Sequence, residues 1–245
     1  MSQFNEIEDW NRIANTYSEL RESGSGFEYE EKSLWSLLGD VTNQNVLDLA
    51  CGQGGFCSEL TRKGAHVVGV DGSIQLLTRA RSLYPKIEFI EHDLAEGLPH
   101  FQTEFHIVMS RMAVMDIRDI RSLFNDVPGV LRSDGRFIFT LLHPCFWNQK
   151  SHLDEQTGEW FKRMNGYLDF ETWRVKSFGG HNHYHRPISC YFDALTEAGM
   201  AVTRLLEPRH EGTGKVVPVE FSGKFPLYLM IEAVKMQGLI VSAPR

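Results

Sequence analysis

Two aspartates, Asp48 and Asp71, stand near the ends of two short apolar stretches that are predicted to be buried strands. A carboxylate in that position can accept paired hydrogen bonds from an amine or from a diol. Gly52 and Gly54 follow the first strand, and glycine lets the backbone turn tightly and lets a ligand approach without meeting a Cβ atom. Ligands bind at the carboxyl ends of strands in β-α-β units of this kind. The pattern therefore predicts a site for a ligand that carries hydroxyl groups and an amine.

A dinucleotide is the first alternative ligand for such a glycine turn. The dinucleotide fingerprint has a third small residue, glycine or alanine, at the position where this chain has Cys57. A pyrophosphate would also be repelled by the carboxylate of Asp48, whereas a cationic ligand would be attracted. The glycine turn therefore favours a cationic ligand over a dinucleotide.

Three motifs follow one another along the chain, each where a predicted strand ends. They are Asp48-x-Ala-Cys-Gly-x-Gly, then Gly69-Val70-Asp71-Gly72-Ser73, then the stretch from Ile87 to Leu94, which contains Asp93. In this order and spacing the motifs resemble the class I S-adenosylmethionine (SAM)-dependent methyltransferases of small-molecule type. The resemblance extends over residues 45–234.

The resemblance implies SAM as cofactor and S-adenosylhomocysteine (SAH) as product. It implies that Asp48 sits beneath the methionine amine and that Asp71 accepts hydrogen bonds from both ribose hydroxyls. It also implies that Asp93 accepts from the adenine amino group, with the Leu94 backbone against the ring edge. The cofactor-binding residues predicted on this basis are Tyr17, Asp48, Ala50, Gly52, Gln53, Gly54, Asp71, Gly72, Ser73, Asp93, Leu94, Ser110 and Arg111.

Each aspartate taken singly has another explanation. Asp71 can cap a helix that begins near Ser73, and Asp93 can simply open a turn. Three aspartates in register at successive strand ends are harder to explain by capping alone. We therefore expect the three to share one binding site.

The rest of the chain supplies the elements that must position these residues. Strands alternate with helices from residue 45 onward, which predicts an α/β fold with a doubly wound, mostly parallel sheet. Two closing strands with no helix between them predict an antiparallel C-terminal hairpin, which the class I methyltransferase fold has and the dinucleotide fold lacks. The predicted sheet has seven strands, at residues 45–50, 66–71, 87–91, 105–109, 136–142, 201–206 and 226–234.

The N-terminal helices are expected to form a lid over the cofactor. Trp10, Ile13 and Tyr17 share one helical face, and Arg12 is expected to reach the cofactor carboxylate. A docked helix that only completes the core is the alternative. The predicted segments are N-terminal helices at 1–40 with a break at 23–26, a SAM-binding domain at 41–143 and 185–235, an inserted lid at 144–184, and a tail at 236–245.

The insertion at 144–184 is the predicted binding segment for the methyl acceptor. It holds three of the five tryptophans, and its other aromatic residues include Phe178. Apolar and aromatic walls are typical of small-molecule pockets, although such residues can also form a structural minicore. The predicted substrate-binding residues are Phe146, Trp147, Trp160 and Trp173.

Five of the ten histidines fall between residues 143 and 185. A histidine can take a proton from a hydroxyl or an amine near neutral pH, so His143, His183 and His185 are the predicted catalytic residues. The alternatives are a His143 ring that packs against Pro144 and a reaction that needs no base, because aligning the reactants is enough. His181, His183 and His185 alternate as metal ligands would, but no carboxylate or thiolate clearly joins them, so no metal is predicted.

Composition narrows the range of partners. The 245 residues carry a net charge of −7 and no long Lys/Arg run, which disfavours nucleic acid. No apolar run reaches about 18 residues and no basic-then-apolar leader is found, so neither a membrane partner nor a signal peptide is predicted. Four scattered cysteines fit a reducing cytoplasm. We expect a cytoplasmic monomer or homodimer.

The leading interpretation is an enzyme that moves a methyl group from SAM to an O, N or S atom of a small-molecule acceptor. Two alternatives stay open at the level of the sequence. One is a SAM-binding enzyme of other chemistry on the same fold. The other is a SAM-binding regulator or partner subunit without turnover.

Overall fold

The computed structural model describes residues 6–22, 28–147, 149, 151–176, 179–209 and 224–236. The predicted break at 23–26, Phe178 and residues 237–245 of the predicted tail lie outside these ranges. The α-helices are α1 (Glu6–Glu22), α2 (Glu28–Leu38), α3 (Gly55–Arg62), α4 (Ile74–Leu83), α5 (Ile120–Val130) and α6 (Ile188–Glu197). The strands are β1 (Asn45–Leu49), β2 (His66–Asp71), β3 (Glu88–Glu91), β4 (Phe105–Arg111), β5 (Leu131–Leu142), β6 (Ser151–Leu153), β7 (Trp160–Lys162), β8 (Glu171–Val175), β9 (His181–His185), β10 (Met200–Leu206) and β11 (Tyr228–Lys235).

Seven of the strands form one sheet in the order β10-β11-β5-β4-β1-β2-β3. Strands β1 to β5 are paired in parallel, and β11 is antiparallel to both of its neighbours, β5 and β10. The predicted doubly wound sheet and its antiparallel closing hairpin are confirmed. The strand order reverses between β1 and β4, and open α/β sheets bind their ligands at such a point.

The central strands are mostly apolar because helices cover both faces of the sheet. Leu47 of β1 belongs to a buried cluster that includes Phe124 of α5. Val46, the preceding residue, belongs to a second buried cluster with Leu34 of α2 and Leu60 of α3. Continuous apolar strands of this kind are typical of parallel sheets.

The starts of α3 and α4 fix the two loops that follow β1 and β2. Gly54 precedes α3 with φ +77°, and a Cβ atom there would lie 2.6 Å from Phe89 Cζ, so only glycine fits. Ser73 caps α4, because its Oγ accepts a hydrogen bond from Leu76 N at 3.3 Å. Both helices therefore begin where the chain leaves the carboxyl edge of the sheet.

The start of β5 differs from the prediction. The strand begins at Leu131 rather than at residue 136, and residues 133–135, whose Ser-Asp-Gly sequence is typical of a turn, lie inside it, where the pairing with β4 shifts register. A Cβ atom at Gly135 would lie 2.9 Å from the carbonyl oxygen of Phe105, so the glycine permits the close approach of β4. The sequence signal marked a bulge within the strand rather than a turn before it.

The insertion contains two small antiparallel hairpins, one made by β6 and β7 and the other by β8 and β9. The second hairpin ends at His185, one residue beyond the predicted boundary of the insertion. Among the described residues, no helix has the length and apolar character needed to cross a membrane.

Candidate functional site

A cavity of about 600 Å³ lies at the carboxyl edge of the sheet. Its floor contains residues from the ends of the first strands, and α1 and the β8–β9 hairpin contribute further walls. Of the thirteen predicted cofactor-binding residues, Gly54 and Ser110 do not line the cavity. The eleven that do are Tyr17, Asp48, Ala50, Gly52, Gln53, Asp71, Gly72, Ser73, Asp93, Leu94 and Arg111.

Asp71 holds the glycine loop to the end of β2. Its Oδ2 accepts a hydrogen bond from Gly52 N at 2.8 Å, and its Oδ1 accepts one from Ser73 N, also at 2.8 Å. Burial raises the pKa of Asp71, while these two backbone N–H groups act in the opposite direction. Each carboxylate oxygen can accept two hydrogen bonds, so Asp71 retains acceptor capacity for a ligand.

Asp48 is 2% exposed and lies on the floor of the same cavity. The Cys57 thiol donates a hydrogen bond to its Oδ2 at 3.1 Å. Burial raises the pKa of Asp48 to about 7, and this is the largest of several influences on the group. A positively charged ligand group beside Asp48 would stabilise its ionised form.

Asp93 combines the two roles that the sequence left open. Its Oδ1 accepts a hydrogen bond from Ala95 N at 2.9 Å, which opens a short 3₁₀-helix at Leu94–Glu96. The residue also lines the cavity. Turn formation and ligand binding are therefore compatible at this position.

Gln53 presents an unused acceptor to the site. Its Oε1 is buried and accepts no hydrogen bond from any described residue, although the residue lines the cavity. The neighbouring Ala50 has φ 58°, a left-handed conformation that is costly for a residue with a Cβ atom. A buried orphan acceptor beside a strained turn indicates a place where a ligand supplies the missing donor.

Arg111 lines the cavity but is already paired with α2. Its Nε donates to Glu30 Oε2 at 2.8 Å and its Nη2 donates to Glu31 Oε2 at 3.0 Å. Thr140 on β5 donates to the other oxygen of Glu30 at 2.7 Å. This network fixes α2 against the ends of β4 and β5, and Ser110 lies buried next to it in the chain, outside the cavity wall.

Helix α1 covers the loops that carry Gly52 and Gly72. A Cβ atom at Gly52 would lie 3.7 Å from Tyr17, and one at Gly72 would lie 2.9 Å from Ile7. Asn11 accepts a hydrogen bond from Ser73 Oγ at 2.7 Å, which ties the helix to the start of α4. The helix is therefore docked directly over the predicted cofactor site.

The Arg12 side chain was expected to reach the cofactor carboxylate, but it extends in another direction. Its guanidinium donates to the carbonyl oxygens of Gly179 and Gly180 at 2.8 Å each, and it pairs with Asp9. Asp9 also pairs with Arg174 of β8. Arg12 thus links α1 to the β8–β9 hairpin and does not line the cavity.

At the insertion, the cavity wall includes Trp147, His181 and His183. A carboxylate that the sequence analysis missed, Asp116, also lines the wall, with its Oδ1 3.7 Å from His181 Nε2 and 3.7 Å from His183 Nδ1. Asp116 ends a short 3₁₀-helix after β4, and no motif surrounds it. Its position in the loop that follows a parallel strand was the one signal that could have identified it.

Five predicted acceptor-side residues are placed away from the cavity. His143 forms an interaction of 2.8 Å between its Nε2 and Glu207 Oε1, and Phe146 lies against its ring. His185 Nε2 lies 2.9 Å from the carbonyl oxygen of Tyr167. Trp173 stacks on His183 behind the wall, and Trp160 is in β7. Within the described residues, no group of three or more side chains is arranged to hold a metal ion.

His143→Ala is expected to lower the free energy of unfolding by about 1–3 kcal/mol, because the ring is 1% exposed and its removal leaves a cavity. The SAH affinity should stay within about twofold of wild type, since the ring lies outside the cavity wall. Chemical denaturation and calorimetry would measure the two quantities, with His66→Ala at an exposed strand start as the control. A loss of SAM turnover of about 100-fold would restore His143 as a base.

The comparisons with known proteins agree with this geometry. A family model described as a methyltransferase domain matches residues 46–135. An uncharacterized methyltransferase from Synechocystis sp. is 36% identical over 107 residues, which cover 42% of this chain and 50% of the relative. The demethylmenaquinone methyltransferase of Chlorobaculum tepidum is 34% identical over 91 residues, 37% of each chain. The chain therefore spans half or less of the length of these two curated relatives.

A solved structure gives a longer match. The S-adenosylmethionine-dependent methyltransferase from Mesorhizobium loti superimposes with a TM-score of 0.69 and 25% sequence identity. The alignment covers 84% of this chain and 97% of that protein. The structural similarity therefore extends well beyond residues 46–135, which the family model matches.

Proposed function

Because the chain belongs to the class I S-adenosylmethionine-dependent methyltransferases, we propose that it transfers a methyl group from SAM to an O, N or S atom of a small-molecule acceptor. One observation carries the proposal. Asp48, Asp71 and Asp93 stand at the ends of three neighbouring strands and line one cavity together with Gly52.

The residues present fit the cofactor. The orphan acceptor Gln53 Oε1 can take a hydrogen bond from a bound donor, and Asp48 can neutralise an ammonium group. Asp71 has acceptor capacity for the paired hydroxyls of a ribose, and Asp93 for the amino group of adenine. Tyr17 lies over Gly52, so α1 would shield the bound molecule from water.

The chemistry that SAM supplies when bound is a methyl group on a sulfonium, which is a good leaving group. The residues of this chain then bind and orient, because alignment alone supplies much of the rate acceleration in a direct displacement. Aromatic faces near the site, including that of Trp147, also favour a cationic ligand.

A small acceptor suits the site better than a macromolecule. The cavity volume of about 600 Å³ is in the range of small-molecule sites, and α1 and the β8–β9 hairpin cover it from above. The net charge of −7 disfavours nucleic acid. The relative from Chlorobaculum tepidum is named for a small molecule, demethylmenaquinone.

We further propose that the protein is a cytoplasmic monomer or homodimer, in keeping with the four free cysteines of the chain.

The test is binding and turnover measured on the same protein. Calorimetry should show binding of SAH and none of NADH, and incubation of SAM with a metabolite extract should yield SAH. Binding of SAH without turnover in any extract would favour a regulator. Turnover of SAM to a product other than SAH would favour another chemistry on this fold. Absence of SAH binding by the folded protein would overturn the cofactor assignment.

A further inference from the structure

Asp116, His181 and His183 leave a gap between them that a polar ligand atom can fill. Asp116 Oδ1 is 3.7 Å from a ring nitrogen of each histidine, which is too long for a direct hydrogen bond. Asp116 is 8% exposed, and its Oδ1 accepts no hydrogen bond from the described part of the chain. A buried carboxylate oxygen aimed into a cavity and left without a donor requires an explanation, and a donor on a bound ligand supplies one.

The two imidazoles are held in place by aromatic rings. His181 packs against Trp10 of α1 with ring centroids 4.8 Å apart, and His183 stacks on Trp147 at 4.7 Å with an angle of 18° between the rings. Arg186 donates to the carbonyl oxygens of the two residues after Asp116, Ile117 and Arg118, at 2.5 Å each. The turn that carries Asp116 is therefore fixed relative to β9, and the cluster is assembled before any acceptor binds.

The cluster carries little positive charge toward the cavity. Burial lowers the pKa of His181 to about 4 and that of His183 to about 3, so both rings are neutral at pH 7. Burial raises the pKa of Asp116 well above its ordinary value, and the Arg186 guanidinium opposes this only in part. Once ionised, a carboxylate whose pKa is raised takes up a proton more readily than an ordinary aspartate does.

We propose that Asp116, His181 and His183 bind the methyl acceptor, and that this acceptor is a neutral planar molecule with a weakly acidic hydroxyl, a phenol or an enol. This inference rests on the proposed methyl transfer. The planar ring lies against Trp147, and its hydroxyl donates to Asp116 Oδ1. An acceptor that is itself a carboxylate would bring a second negative charge beside Asp116 with no cationic imidazole to offset it.

The proton balance of the reaction follows from this arrangement. Asp116 Oδ1 takes the hydroxyl proton, and the electron pair of the broken O–H bond forms the new bond from oxygen to the methyl carbon. The bond from that carbon to the cofactor sulfur breaks at the same time, so the sulfonium becomes a neutral thioether. Asp116 returns its proton to water when the methyl ether leaves.

Three probes of one shape test the acceptor class on the SAH-loaded protein. They are 4-methylphenol, its methyl ether 4-methylanisole, and 4-methylbenzoate. The wild type should bind the phenol at least about tenfold more tightly than either of the others, because the phenol alone donates to Asp116. Asp116→Leu should reduce this preference to within about twofold, as measured by calorimetry.

Asp116→Asn separates binding from proton transfer, since an amide oxygen accepts a hydrogen bond but does not take a proton at neutral pH. The affinity for 4-methylphenol should stay within about threefold of wild type, while kcat for its methylation falls by about 100-fold or more. Asp119→Asn, three residues along the same turn, is the matched control, because Asp119 is exposed and accepts a hydrogen bond from Arg121 N at the start of α5. This control should bind and methylate the phenol as the wild type does.

The outcomes distinguish a failure of the proposed methyl transfer from a failure of the proposed acceptor class. If the wild type binds no SAH, the proposed methyl transfer itself fails. If SAH binds but the protein shows no preference for 4-methylphenol, binds no probe, or binds 4-methylbenzoate most tightly, the acceptor class is wrong. If Asp116→Asn methylates 4-methylphenol within about threefold of the wild-type rate, Asp116 is not the proton acceptor.

Discussion

Replacing Asp71 by alanine is expected to weaken SAH binding by about 3 kcal/mol or more, which corresponds to a dissociation constant on the order of 100-fold higher. Two hydrogen bonds from the ribose hydroxyls to a carboxylate are lost at once. The same substitution frees Gly52 N and Ser73 N, which Asp71 holds at 2.8 Å each, so the glycine loop loses its tie to β2. Both losses act against binding. Isothermal titration calorimetry with SAH measures the change.

Asp40→Ala is the matched control for this substitution. Asp40 makes the same type of local contact as Asp71, because its Oδ1 accepts a hydrogen bond from the N–H two residues later, that of Thr42, at 2.9 Å. It is exposed and lies outside the cavity. Its replacement should leave the SAH affinity within about twofold of wild type. An Asp71→Ala protein that is folded and binds SAH within threefold of wild type would contradict the assignment of Asp71 to the ribose.

The sheet and the cofactor end of the cavity could be predicted because their signals are local in sequence. A buried parallel strand needs a short apolar run, and the turn after it needs glycine, so Asp48 and Asp71 could be assigned to strand ends without knowledge of tertiary contacts. The doubly wound order then brings these ends to one edge of the sheet, which places Asp93 near them.

The acceptor end could be predicted only in part, because it is assembled from segments distant in sequence. Asp116 follows β4, His181 and His183 lie in β9, and Trp10 comes from α1. Alternation along β9 put the histidines on one side, as expected, but only tertiary packing brings Asp116 to them. The sequence predicts no metal because no carboxylate clearly joins these histidines, and the structure brings Asp116 to two of them.

His143 was predicted to face the cavity from the end of β5, but the residue before it does so instead. Leu142 lines the cavity, and the next side chain along an extended backbone points to the opposite side. His143 accordingly pairs with Glu207 behind the wall. Arg12 is a similar case, because the helical face was predicted correctly but its long side chain reaches the carbonyl oxygens of the β8–β9 hairpin. Such choices depend on partners that no local pattern specifies.

Asp48→Asn is expected to stabilise the ligand-free protein and to lower its affinity for SAH. Burial raises the pKa of Asp48 to about 7 in the folded protein, against about 3.9 for an aspartate in an unfolded chain. The folded state therefore holds the proton more tightly, and the stability linked to this group is complete below about pH 4 and is lost as the pH rises through about 7. An asparagine has no such cost. The free energy of unfolding of the variant should exceed that of wild type by up to about 4 kcal/mol above pH 8 and should match it near pH 4.

Ligand binding should show the opposite effect at the same residue. An ammonium group beside Asp48 favours the carboxylate, so SAH binding to the wild type near pH 7 should release a proton, which calorimetry in two buffers of different ionisation enthalpy detects. Asp48→Asn should abolish that release and lower the affinity by about 1.5–3 kcal/mol, the contribution of a charged hydrogen bond. Asp134→Asn, at an exposed site where a hydrogen bond from Arg132 lowers the pKa, should change neither quantity appreciably. Two results together would contradict this role of Asp48: equal stability of the Asp48→Asn variant and wild type at pH 8, and unchanged proton release. They would show that burial does not raise the pKa of Asp48 and that Asp48 does not contact the ligand amine.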